Sequence, residues 1–194
     1  MAWISAPRIA ATGAACLMAW VVAAMPRPVV AQQATPPPAP PTANASGASG
    51  LPLPRFVSLK SDRVNLRQGP GTDYPTAWIY NRAGLPVEVI EEFETWRKVR
   101  DAEGTTGWIL SSLLSGRRTA LVLPWELKPG AAPPQVSLRK GDSERTGTVA
   151  MIEAGVIADV QKCDGAWCYV TIDTYRGYIE QAKLWGVYQR EQVK

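Results

Sequence analysis

Apolar and polar positions change rhythm along the 194 residues. From Ile9 to Met25 the run is apolar and uncharged; from Gln32 to Pro54 it is proline, alanine and small polar residues; after that, short alternating stretches are cut by glycine and proline. The last pattern predicts strands, with little helical periodicity. "RVNLR", "TAWIYN" and "LPVEVIEEF" read as successive strands, the third with Leu85, Val87 and Val89 inward and Glu88 outward. "WRKVRDAEGTTGWIL" reads as a hairpin turning at Gly104, "SSLL" as one 3₁₀ turn, and Thr119 to Leu123 as a last strand.

The alternation occurs twice. "VNLRQG" at Val64 to Gly69 returns as "VSLRKG" at Val136 to Gly141, 72 residues on. "AGLPVEVI" at Ala83 returns as "AGVIADVQ" at Ala154, and Trp96 and Val99 return as Trp167 and Val170, all 71 residues on. "GWI" at Gly107 returns as "GYI" at Gly177, after 70. Small drifts between fixed anchors are what loop-length changes between strands produce. The expectation is an all-β chain of two tandem small barrels, residues 55–123 and 134–190, joined by a linker at 124–133. Units this small have thin cores, so tryptophan has to carry much of the burial. Trp108 is expected in the core, whereas Trp125 could seal one barrel against the other or cover the first barrel's last strand.

Residues 1–31 read as an export signal: Arg8 precedes the apolar run, and Val29-Val30-Ala31 offers small residues before Gln32. Cleavage is expected after Ala31, which makes the protein periplasmic or secreted. The alternatives are an uncleaved anchor, for which 17 residues is near the lower limit of about 17 to 25, and lipidation at Cys16, which most of the apolar segment follows. Residues 32–54 cannot bury enough surface to offset their ordering entropy and read as a disordered tether; a proline-rich docking peptide is the alternative.

Without Arg8 and Arg27 the mature chain has 19 basic and 17 acidic side chains, a net charge too small to argue for nucleic acid. Arg97, Lys98 and Arg100 sit beside Glu91, Glu92 and Glu94, a mixed, solvated surface.

The segment "VNLRQGPGTDYPTAWIYNRAGLPVEVIEEFETWRKVRDAEGTTGWILSSLL" resembles a bacterial SH3 domain. The likeness lies in the VNLR strand, the GPG turn with a following tyrosine, the isolated tryptophan and the closing glycine-tryptophan pair. The second unit resembles a diverged copy, with Asp142-Ser143 replacing Pro70-Gly71 and Thr146 replacing Tyr74. The resemblance implies a five-stranded bent barrel that binds, often to peptidoglycan or to envelope proteins. A groove for proline-rich ligands mostly does not survive, because Leu110 and Leu113 stand where the family has proline and tyrosine. Trp96 is then a candidate ligand platform with Tyr74 beside it, Asn65 and Arg67 donating hydrogen bonds; the alternative is that both rings cap the core.

Cys163 and Cys168 remain after signal removal and are expected to be bridged. Shifting back by 71 puts them on Glu92 and Arg97, so one hairpin position would carry a disulfide in one copy and an ion pair in the other. The chain has no histidine, which excludes cysteine–histidine peptidases, histidine-based serine triads and nearly every zinc hydrolase site. Glu91, Glu92 and Glu94 crowd one loop expected to be solvated, so neither enzyme, metal nor cofactor is expected. Two functions stay open: binding of peptidoglycan or another wall glycan, and a periplasmic protein–protein adaptor.

Overall fold

The computed structural model describes residues 45–194. The export signal, its cleavage point and most of the tether lie outside the described residues. The tether's last residues are ordered. β1 (Ala45–Ser46) pairs with β2 (Pro52–Leu53), Gly47 N donates to Leu51 O at 2.9 Å, and the Leu53–Pro54 peptide is cis. The expectation of disorder through Pro54 fails because Glu92 supplies partners that composition cannot reveal: Ser49 N and Oγ both donate to its carboxylate, at 2.7 and 2.8 Å.

The first barrel comprises β3 (Arg55–Leu59), β4 (Val64–Arg67), β5 (Thr76–Tyr80), β6 (Pro86–Phe93), β7 (Trp96–Arg100), β8 (Thr106–Leu110) and β9 (Leu114–Ser115). They form one antiparallel sheet in the order β5-β4-β8-β7-β6-β3-β9. The 3₁₀ turn falls at Ser111–Leu113, and Gly104 N donates to Asp101 O in the β7–β8 turn. Val57, Leu59, Val64, Leu66, Val87, Val89, Val99 and Ile109 form the core, the inward halves of the alternating strands.

The second barrel repeats this plan with β10 (Thr119–Val122), β11 (Gln135–Arg139), β12 (Thr148–Glu153), β13 (Ile157–Asp164), β14 (Trp167–Ile172), β15 (Tyr175–Glu180) and β16 (Leu184–Trp185). The order is β12-β11-β15-β14-β13-β10-β16, with β17 (Gln192–Val193) added to β13. Thr119–Val122 is therefore the opening strand of the second barrel: Ala120 pairs with Ala158 and Val122 with Leu184. Its place matches β3. Leu59 N donates to Leu85 O and Lys60 N to Leu113 O; Val122 N donates to Val156 O and Leu123 N to Lys183 O.

The barrels are joined by residues 116–118, and the proline-containing stretch expected to link them is a long loop between β10 and β11. Trp125 lies in that loop with 54% of its surface exposed, so it seals neither barrel.

In both copies the glycine of the closing motif lets two strands cross. A methyl group on Gly107 would come within 2.5 Å of Leu66 Cγ and 2.8 Å of Arg67 O; on Gly177 it would meet Arg139 O at 2.5 Å. Trp108, next to Gly107, points to the other face and is nonetheless buried. It lies in the ladder between Arg67 and Lys98, whose Nζ stands 5.8 Å from the ring centroid.

Glu88 faces away from its barrel's core, yet it is buried, because the second barrel covers it. Arg100 Nε donates to its carboxylate at 2.9 Å and Tyr188 Oη at 3.0 Å. Phe56, the ladder partner of Glu88, packs edge-on against Trp185 at 5.2 Å and against Tyr188 at 4.7 Å. Burial, with Glu88 beside it, pushes the Tyr188 hydroxyl well above the usual phenol range.

Candidate functional site

The β4–β5 hairpin carries most of the polar and aromatic candidates. Val64 and Leu66 point into the core, so Asn65 and Arg67 point outward. Arg67 Nη1 donates to Thr72 O at 2.9 Å and Tyr74 O at 2.7 Å, locking the turn. Arg139 Nη1 does the same in the second barrel, donating to Thr146 O at 3.1 Å. A guanidinium so used in both copies braces the loop, and this is the first role of Arg67.

The Tyr74 ring lies against Gly69, where a methyl group would strike it, and 47% of the residue remains exposed. In the second barrel Thr146 takes that place: its hydroxyl donates to Ser143 O at 2.7 Å and accepts from Gly141 N at 3.2 Å. The first turn is closed by an aromatic surface, the second by internal hydrogen bonds.

Trp96 lies elsewhere, on β7, paired with Phe93 and Leu110 and only 9% exposed. It lies outside the core cluster, on the outward face that it shares with Leu110, and little of its surface is open to a ligand. The exposed tryptophan of the first barrel is Trp78, 59% exposed on β5, with Ile79 beside it. β5 is the edge of its sheet, and Asn65 faces Ile79 across the ladder without a side-chain hydrogen bond among the described residues. Sequence reasoning passed over Trp78 because an apolar residue within "TAWIY" reads as strand core; its edge position was the missing signal.

The structure separates the three glutamates expected in one solvated loop. Glu91 pairs with Lys98 at the surface, Nζ to Oε2 at 3.2 Å, and Glu94 sits in the β6–β7 turn. The Glu92 side chain is 1% exposed, with Arg55 Nη2 at 2.7 Å and Arg97 Nε at 3.0 Å. Burial alone would raise its pKa, but the Ser49 N–H, Arg55, the Ser49 hydroxyl and Arg97 outweigh that and hold it at about 2. A carboxyl so held is a poor general acid near neutral pH. No cluster of three or more His, Cys, Asp or Glu side chains suited to a metal occurs among the described residues.

At the corresponding position of the second barrel Cys163 and Cys168 are direct ladder partners, as Glu92 and Arg97 are in the first. They form a disulfide with Cα atoms 4.1 Å apart.

A cleft of about 860 Å³ lies where the first barrel, the β1–β2 hairpin and the second barrel's C-terminal segment meet. Its walls include Leu51, Phe56, Leu114 and Tyr188, and four arginines reach it. No helix among the described residues is long and apolar enough to cross a membrane.

The family described as "Bacterial SH3 domain" matches residues 60–116 and 132–186, together more than half of the chain. Both matches omit the opening strand, β3 in one barrel and β10 in the other. No curated protein matches the chain significantly. Among solved structures, NlpC2 from Trichomonas vaginalis is 14% identical, with 68% of this chain and 48% of that chain covered and a TM-score of 0.30. NlpC1 from the same organism is 15% identical, with 72% and 48% covered and a TM-score of 0.30. An NlpC/P60 family protein from Bacillus cereus is 11% identical, with 67% and 55% covered and a TM-score of 0.29. The chain spans about half the length of these proteins, and overlap this low carries no argument about activity.

Proposed function

The chain belongs to the bacterial SH3 domain family, and from that premise we propose that it is a non-catalytic binding module of the cell envelope. It contacts peptidoglycan, or another wall glycan or peptide, through the first barrel. The observation that carries this reading is the braced β4–β5 hairpin, which holds Tyr74 and Trp78 exposed at the barrel edge. Exposed aromatic faces stack on the apolar faces of sugar rings, and the Asn65 amide, on the other face of the hairpin opposite Ile79 and without a side-chain partner among the described residues, can donate to and accept from acyl groups. Arg67 holds the loop in shape, and Trp96 packs on the outward face of the sheet beside Leu110. Because the second barrel closes its turn with Thr146, it has no aromatic pair at the corresponding place.

Co-sedimentation with purified sacculi tests this reading. The full chain is expected to pellet with the wall, and the Tyr74→Ser, Trp78→Ser double variant to lose about tenfold in affinity, about 0.7 kcal/mol per ring. Equal pelleting of both proteins, or none by either, overturns it. The adaptor reading is the second one, favoured by the cleft between the barrels.

A further inference from the structure

Away from the hairpin, the inter-barrel cleft combines two properties that seldom coincide by accident. Its walls are largely apolar and include Leu51, Phe56, Leu114 and, from the second barrel, Tyr188. Arg55, Arg97, Arg118 and Arg190 line the same space. Two carboxylates answer them: Glu92 takes Arg55 and Arg97, and Glu191 takes Arg118 in a fork, Nη1 to Oε1 at 2.8 Å and Nη2 to Oε2 at 3.0 Å. Four cations against two anions leave an excess of two positive charges in a chain whose overall surplus is small.

The excess has a location. Glu92 alone answers both Arg55 and Arg97, and Arg190, which is exposed, has no side-chain partner among the described residues. A guanidinium beside an apolar wall favours a carboxylate, which it can engage through two parallel hydrogen bonds. The volume lies within the roughly 300 to 1,000 Å³ of ordinary ligand pockets, and junctions between domains are where such pockets tend to form.

We propose that this cleft is a second binding site, for a short acidic peptide segment of a partner polypeptide. The peptide's apolar side chains lie on Leu51, Phe56 and Leu114, and its carboxylates meet Arg190 and the Arg55–Arg97 pair. A neutral glycan would leave the charge unanswered, and a polyanion without apolar groups would leave the walls wet. The site is built from both barrels and is independent of the hairpin: it stands or falls apart from wall binding.

The probe is an acetylated, fluorescein-labelled hexapeptide alternating leucine and glutamate, with a leucine–glutamine peptide of equal length as its control. Fluorescence anisotropy with the full chain is expected to show the glutamate peptide binding at least tenfold more tightly, the advantage shrinking as salt rises. Arg190→Asn, which suits the left-handed backbone at this residue (φ 60°), is expected to weaken binding about tenfold. Leu51→Asn is expected to weaken it severalfold. Tyr175→Ser, at an exposed site outside the cleft, leaves it unchanged. Equal affinity for the two peptides, no binding of either, or indifference to both cleft variants overturns the proposal.

Discussion

The tips of the β6–β7 and β13–β14 hairpins hold the same cross-strand position by different chemistry. In the first barrel Glu92 and Arg97 form an ion pair, and in the second Cys163 and Cys168 form a disulfide. The disulfide acts on its own hairpin, closing a loop of five residues' separation. The carboxylate has spare acceptor capacity and uses it on Ser49 and Arg55, so the same side chain that closes the tip also holds down the chain entering the barrel. A covalent link is stronger locally, but an ion pair can be shared, and sharing couples the β1–β2 hairpin to the first barrel. The turns differ likewise: the first exposes Tyr74, whereas Thr146 spends its hydroxyl on the loop's own backbone.

The largest effect expected from breaking this contrast comes from Glu92→Gln. It leaves two half-buried guanidiniums without their anion and is expected to lower the unfolding free energy by about 3 kcal/mol. Urea unfolding followed by tryptophan fluorescence reads the change, and a loss under about 1 kcal/mol would mean that the pair is dispensable.

Acid probes the same carboxyl without a mutation. Its folded pKa of about 2 lies below the unfolded value of 4.5, so its contribution is full above about pH 4.5 and is lost as the pH falls toward 2. After allowance for screening at the barrel rim this is about 2 kcal/mol. The loss should be absent from Glu92→Gln, and parallel pH profiles of variant and wild type would remove Glu92 as its source.

Replacing both Cys163 and Cys168 by alanine is expected to cost about 2 kcal/mol, the low end for a disulfide because the loop is short. This loss should not depend on pH between 2 and 5, and calorimetry at the two ends of that range checks it.

Tyr188→Phe is the mildest test. It removes the hydroxyl that reaches Glu88 from the other barrel while Arg100 stays, and should cost about 1 kcal/mol. Faster hydrogen exchange confined to β3, β6 and the C-terminal segment is the expected signature, and unchanged exchange there would deny the contact a role in joining the barrels.

Much of the architecture was legible from residue order. Alternation marked the strands, the double "LR-x-G" and "G-aromatic-Ile" pattern marked two copies, and the shift of 71 residues placed Glu92 and Arg97 opposite the two cysteines. The candidate site was less legible. Trp96 and Trp78 are the same residue type in similar strands, and their exposures of 9% and 59% differ because β7 is internal to the sheet and β5 is its edge. Glu88 was read correctly as facing away from its own core, but the surface it faces belongs to the other barrel.

Periodicity and the repeat determined by themselves that there are two all-β barrels, which aliphatic strand positions face inward and where the disulfide closes, because these follow from side-chain alternation and from comparing a chain with itself; the expectation that tryptophan, Trp108 included, fills the cores fails, since both core clusters are free of it. Which barrel owns Thr119–Val122 was decided only by tertiary structure. A short apolar strand carries no mark of its partner, since its backbone donors and acceptors are the same toward either sheet. Between that strand and the next lie residues 123–134, where the first barrel has only 60–63, and the longer loop hid the match with β3. Hydrogen bonds to β13 and β16 give the strand to the second barrel, and the short connection at 116–118 follows from that assignment.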